Sequence, residues 1–190
     1  MPGKVTPAML DLVCHPHHPS RVAQAVAAQA TRTAEGKLSL SYALHGDVAR
    51  MHIAPPGPAR LGWKLWRHTC CEVFVRAEGA EAYHEFNFSP SGEWAAYAFS
   101  RYREGVSLTD ESLNPQVAIE SRPDRLDLYA LVDLARLSGT YGRRALLIGL
   151  AVIIEEENGG YSYWALRHAP GKPDFHDAAA FALRLNEARG

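Results

Sequence analysis

Apolar and polar residues alternate with period two along much of the chain, the pattern of strands that bury one face. Residues 38–44, Leu-Ser-Leu-Ser-Tyr-Ala-Leu, show it first. After His45-Gly46-Asp47, the positions Ala49, Met51 and Ile53 continue it and predict a second strand over 47–53 and a hairpin between the two. Pro55-Pro56-Gly57-Pro58 closes that strand, because proline donates no backbone hydrogen bond. Residues 69–76, 83–89 and 94–102 are rich in β-branched and aromatic side chains, with a turn at Ser89-Pro90-Ser91-Gly92. Residues 126–134 alternate cleanly. Residues 145–156 are apolar on both faces, a central strand or a buried helix, and Val152-Ile153-Ile154 favours the strand. Asn158-Gly159-Gly160 predicts a hairpin turn into a strand over 161–168, and 181–185 reads as a last strand or a short helix.

One helix is expected, over residues 20–33, where alanine is plentiful and Ser20 is placed as an N-cap. Residues 104–123 read as a long polar loop. Short strands at near-regular spacing predict an all-β protein, an antiparallel β-sandwich or barrel. No domain boundary is visible. The expectation is one domain over 1–190, with 1–37 as an N-terminal extension packed on the sandwich.

Composition removes several function classes. The chain has 190 residues, 20 Lys+Arg against 21 Asp+Glu, and a formal net charge of -1, so it carries no basic footprint for nucleic acid or an anionic membrane. The longest apolar run, 145–154, is too short to cross about 30 Å of hydrocarbon as a helix. Residues 1–7 contain no apolar stretch of signal-peptide length, and the expected location is the cytoplasm. Cys14, Cys70 and Cys71 offer neither a disulfide framework nor a Cys-x-x-Cys motif, so they read as packing thiols. No nucleophile elbow, phosphate loop or dinucleotide fingerprint occurs, and no catalytic residue is assigned.

The segments 63–105 and 161–181 carry a resemblance. Leu65-Trp66, Thr69-Cys70, Glu72-Val73-Phe74, the run 83–93, Trp164-Ala165-Leu166-Arg167-His168 and Pro173-Asp174-Phe175-His176 together resemble bacterial DOMON-like domains. These are relatives of the family-nine carbohydrate-binding modules. The resemblance covers most of the chain from Leu38 onward. It implies a β-sandwich of two antiparallel sheets, in a group where some members bind sugars and others bind haem. In family-nine sugar binders one tryptophan precedes the first site strand and a second lies late in the chain. Trp66 and Trp164 hold comparable places, as two indole planes for stacking on a sugar ring. Trp63, three residues before Trp66, is an alternative to it.

Strand parity places further candidates. With Cys71, Val73 and Val75 facing the core, Glu72 faces the other way with Cys70 and Phe74; Phe86 and Phe88 facing in leaves Glu85 and Asn87 out. Glu72, Glu85 and Asn87 then share one sheet face and can bind hydroxyls. A solvated face is the plainer reading of the same pattern. As a catalytic pair, Glu72 and Glu85 would resemble a glycosidase site, but carboxylates on adjacent strands are common without chemistry. Arg101 and Arg103 flank Tyr102, and Arg101 is the candidate planar fork for a ligand. His168 shares the parity of Trp164. His176 with Asp174 and Asp177 forms a carboxylate–imidazole cluster with no zinc-type spacing.

The expected function is therefore non-catalytic binding of a small, sugar-like ligand. Trp66 and Trp164 would stack on it, Glu72, Asn87, Arg101 and His168 would hold its polar groups, and no cofactor or metal is required. A b-type haem electron-transfer domain is the first alternative, with Met51 and one of His68, His84 or His168 as axial ligands. A protein-interaction module is the second. The sequence carries no signal for oligomeric state.

Overall fold

The computed structural model describes residues 8–187; the expectation about residues 1–7 lies outside these. Thirteen strands form in chain order: β1 (Leu10–Cys14), β2 (Ala23–Arg32), β3 (Leu38–Gly46), β4 (Arg60–Leu61), β5 (Cys70–Ala77), β6 (Tyr83–Phe88), β7 (Glu93–Arg101), β8 (Glu104–Leu108), β9 (Gln116–Arg122), β10 (Arg125–Val132), β11 (Leu146–Glu155), β12 (Tyr161–Ala165) and β13 (Leu183–Leu185). Two sheets face each other as a β-sandwich. One runs β1-β2-β3-β10-β9; the other runs β4-β7-β6-β5-β11-β12-β1, with β8 on β7 and β13 on β11. All pairings are antiparallel except β4 with β7.

Strand β1 belongs to both sheets. Leu10, Asp11 and Leu12 pair with β2, and Val13 and Cys14 pair with β12, so one strand turns the corner of the sandwich. Between the sheets lies the main core, built from Val26, Leu40, Leu44, Leu126 and Leu128 on one side and Cys71, Val73, Phe86, Phe88, Leu150 and Val152 on the other. Val73, Phe86 and Phe88 are buried there as strand parity predicts.

A second apolar cluster covers the outer face of the β5–β11 sheet. Phe74, Tyr83, Ile153, Phe175 and Phe181 build it, with Phe99 and Tyr163 packed against them. Phe175 and Phe181 come from the segment that follows β12 and crosses back over this face. That segment explains why β5, Cys-Cys-Glu-Val-Phe-Val-Arg-Ala, is buried on both sides.

Four expectations are corrected. Residues 20–33 are not helical: Val26, Ala28 and Ala30 are buried in β2 and alternate with Ala27, Gln29 and Thr31. Small side chains let this strand lie against the opposite sheet, and sheet packing overrides alanine's helix propensity. Ser20 instead accepts the N–H groups of Val22 and Ala23 in a turn and donates to Glu156. Over residues 8–37 there is accordingly no added extension, because β1 and β2 are integral to the sandwich.

The 104–123 loop contains β8, a 3₁₀ turn at Glu111–Leu113 and β9. These are edge strands and need few apolar residues; in β9 only Val117 and Ile119 turn inward. Residues 47–53 form a 3₁₀ turn at Val48–Arg50 and a single bridge between Met51 and Glu156, so β3 pairs with β2 and β10 rather than into the expected hairpin. Gly46 makes this crossing possible, since a Cβ there would stand 2.1 Å from the Val22 carbonyl oxygen. Among the described residues no helix is long and apolar enough to cross a membrane.

Candidate functional site

The outer face of β5, β6 and β7 carries a pocket of about 320 Å³. Its position follows from register. Glu72 on β5 lies directly opposite Asn87 on β6, and Glu85 lies opposite Phe74 on β5 and Tyr97 on β7. On the other flank Ala151 pairs with Glu72, and Ile153 pairs with Tyr163. Glu72 and Glu85 therefore share the pocket floor. Its walls are Trp66, Tyr97, Phe99, Tyr163 and Phe175, with Arg103 and His176 beside the carboxylates.

Trp66 is held by a 3₁₀ turn, Leu65–Arg67, whose Leu65 is buried while the indole stays 43% exposed. The Arg67 guanidinium lies 5.3 Å from the centre of the indole ring. Phe175 and His176 arrive from the crossing segment. His176 Nδ1 is 2.8 Å from the Tyr83 hydroxyl, and that hydroxyl accepts the Arg103 N–H at 3.1 Å. The other ring nitrogen, Nε2, lies 3.8 Å from Glu85 Oε2.

The two carboxylates have unequal surroundings. Glu85 Oε1 accepts a hydrogen bond from Asn87 Nδ2 at 2.9 Å. Burial pushes the Glu85 carboxyl up, the Asn87 amide and Arg103 pull it back, and it settles at about 7. Glu72 is 2% exposed, and its Oε1 is buried without a hydrogen-bond partner. Burial first, and the charge of Glu85 second, push its carboxyl well above the carboxylate range. His176 is held down at about 4 by burial and by Arg103, so its imidazole is neutral near pH 7. Arg103 Nη2 is bound to Asp174 Oδ1 at 2.8 Å. Burial would raise Asp174, but hydrogen bonds from Tyr102, the His176 N–H and Arg103 hold it below its ordinary value.

The structure brings Trp66 and Glu72 to this pocket and separates the other candidates from its walls. Trp164 is 6% exposed, faces the main core, and donates its Nε1–H to Ser162 Oγ at 3.1 Å. A buried indole offers no plane for stacking, so the two-tryptophan clamp is corrected; Tyr163, one residue earlier and on the opposite face, lines the pocket instead. Asn87 is fully buried beneath the floor, where it supports Glu85.

Arg101 is exposed and paired with Glu104 at 2.8 Å, outside the pocket, and Arg103 takes the wall position. Its placement there depends on a left-handed backbone at the β7–β8 turn, φ 55, which side-chain spacing does not reveal. His168 lies past the end of β12, so strand parity no longer applies to it. It bonds the Val13 carbonyl oxygen at 2.8 Å and packs edge-on to His15. Tyr97, Phe99, Tyr163, Phe175 and the wall role of His176 were not identified from sequence. Pairing register identifies Tyr97 and Tyr163; Phe175 and His176 have no local signal.

Trp63 is 66% exposed, in the loop beside this site. Met51 is buried in the main core. Among the described residues no group of three or more His, Cys, Asp or Glu side chains is arranged to hold a metal ion. A wider groove of about 590 Å³ lies between β2 and β13, with Leu10, Ala30, Leu183 and Leu185 on its walls. It lacks the aromatic walls and buried carboxylates of the smaller pocket.

No protein-family model matches the chain, and no curated protein sequence does. Solved structures do. A protein from Bacteroides uniformis inferred to bind carbohydrate superposes with a TM-score of 0.63 at 15% identity, over 94% of this chain and 84% of that one. A family-nine carbohydrate-binding module from Caldicellulosiruptor kristjanssonii, in complex with glucose, superposes with a TM-score of 0.55 at 8% identity, over 90% of this chain and 80% of that one. The same kind of module from that organism, in complex with cellotriose, gives 0.53 at 8% identity over 92% and 85%. At these identities the likeness shows the fold: a β-sandwich of the kind used by family-nine carbohydrate-binding modules.

Proposed function

We propose that the protein is a DOMON-like relative of the family-nine modules that binds a small carbohydrate or related polar ligand without transforming it. The observation that carries this reading is the pocket itself, where aromatic walls and buried acid groups meet on one sheet face. Aromatic faces stack on the C–H face of a pyranose, and carboxylates accept hydrogen bonds from its hydroxyls. The pocket volume, about 320 Å³, is near the lower end for ligand sites and suits one or two sugar rings rather than a polymer chain. The sugar-binding structural neighbours agree with this reading at the level of the fold.

The test is a monosaccharide and disaccharide panel read by calorimetry on the wild type and on Trp66→Ala and Tyr163→Ala. Binding that is lost in both variants, while their melting temperatures hold, is the expected result. Binding that survives both changes together would put the ligand elsewhere. A Soret band on adding haemin to the purified protein would replace the sugar reading with the haem one.

A further inference from the structure

The pocket floor holds an acid with nothing to answer it. Glu85 has Asn87 as a donor and Arg103 and His176 nearby. Glu72 is equally buried, lines the pocket, and leaves Oε1 without a partner. The charges that face it from the surrounding elements do not compensate it. Glu85 on β6 carries the same sign. Arg103 at the β7–β8 turn is engaged by Asp174 at 2.8 Å, His176 in the crossing segment is neutral near pH 7, and Tyr97 and Tyr163 are neutral phenols.

From this geometry, and resting on the carbohydrate reading above, we infer that the natural ligand is an amino sugar whose protonated amine sits against an oxygen of the Glu72 carboxylate, the acid that lines the pocket floor. A neutral hydroxyl would give that oxygen an ordinary hydrogen bond. An ammonium group gives a charge-assisted one, roughly twice as strong, and supplies the countercharge that a buried carboxylate lacks. The walls favour the same group, because the rings of Tyr97, Phe99 and Tyr163 attract a cation, while Trp66 already carries the Arg67 guanidinium at 5.3 Å. Arrival of the cation makes ionised carboxylates favourable on the floor, so protons held by the Glu72–Glu85 pair pass to the buffer as the ligand binds.

Three probes test this at pH 7: glucose, glucosamine, which replaces one hydroxyl with an ammonium, and cyclohexylamine, which has the ammonium and no hydroxyls. Titration calorimetry in two buffers of different ionisation heat reads affinity and proton release together. Glucosamine should bind about tenfold tighter than glucose or better, with net proton release, and Glu72→Gln should bring the two sugars within about twofold of each other. The comparison between ligands on the wild-type protein needs no variant, so it stands even if Glu72→Gln folds poorly. Glucose binding as well as glucosamine, or a preference that persists in a folded Glu72→Gln, would overturn the inference and leave the carbohydrate reading intact. Cyclohexylamine binding that depends on Glu72, with neither sugar bound, would keep the ammonium seat and overturn the carbohydrate reading. No binding by any of the three would overturn both.

Discussion

The Tyr42 hydroxyl donates a hydrogen bond across the sandwich to the backbone carbonyl oxygen of Glu72, at 2.8 Å. One sheet thereby fixes, from the core side, the residue whose side chain forms the pocket floor on the other. Tyr42 is fully buried, and burial pushes its phenol well above the ordinary range, so it stays a donor at any working pH. Tyr42→Phe leaves the ring packed and removes this tie alone. It should cost about 1–2 kcal/mol, seen as a lower urea midpoint with an unchanged slope.

Phe86 packs on the core side of β6, stacked on Phe88 at 5.9 Å between ring centres and 6.5 Å from Trp94. At 1% exposure it has no solvent into which a truncated site can relax. Phe86→Ala should therefore cost about 3–5 kcal/mol in equilibrium denaturation. A loss below about 1 kcal/mol would mean that the two sheets close up over the gap.

The same alternation that predicts Phe86 inward predicts Glu72, Glu85 and Asn87 outward, so this part of the site was legible in the sequence. Strand parity is a local property, and the strands over 69–76 and 83–89 lie within a residue of β5 and β6. Parity also says that residues 163 and 164 face opposite ways. It does not say which of them faces the core, and placing Trp164 by resemblance took the wrong side. The observed register, with Val152 of the core opposite Trp164 and Ile153 opposite Tyr163, decides it. Alanine hid β2, because period two is hard to see when the inward and outward residues are both alanine. The contribution of Phe175 and His176 is tertiary: their segment reaches Phe74, Tyr83 and Phe99 across many intervening residues. Nothing in their neighbours' spacing encodes that contact.

The two tryptophans should separate in experiment. Trp66 is 43% exposed on a short turn, so Trp66→Ala should change stability by less than about 1 kcal/mol while abolishing ligand binding. Trp164→Ala removes a core side chain and leaves Ser162 Oγ without its indole donor, for a cost of about 3–5 kcal/mol. Parallel thermal melts and ligand titrations distinguish these outcomes. A Trp164→Ala protein as stable as the wild type would contradict its core placement.

Glu85 makes the stability of the ligand-free protein depend on pH in a definite direction. Its carboxyl rises from an ordinary 4.5 to about 7 in the folded state. A group raised in this way stabilises the fold below its unfolded value and loses that contribution as pH climbs through the folded one. The window is thus about pH 4.5 to 7, and the loss is about 3 kcal/mol for a side chain this buried. His176 works in the opposite sense. Its depressed value, about 4, contributes stability above 6.5 that is lost as pH falls through 4, so a wild-type melting curve alone mixes the two groups. Comparison with Glu85→Gln removes the His176 contribution, which is common to both proteins, and reads Glu85 together with its effect on Glu72; the glutamine oxygen still accepts from Asn87. The two should melt together at pH 4, where Glu85 is protonated. At pH 8 the variant should melt higher by roughly 6–12 °C, the shift expected of about 3 kcal/mol in a domain of this size. Equal melting temperatures at both pH values would show that the Glu85 carboxylate is well solvated, and with it the floor of the pocket.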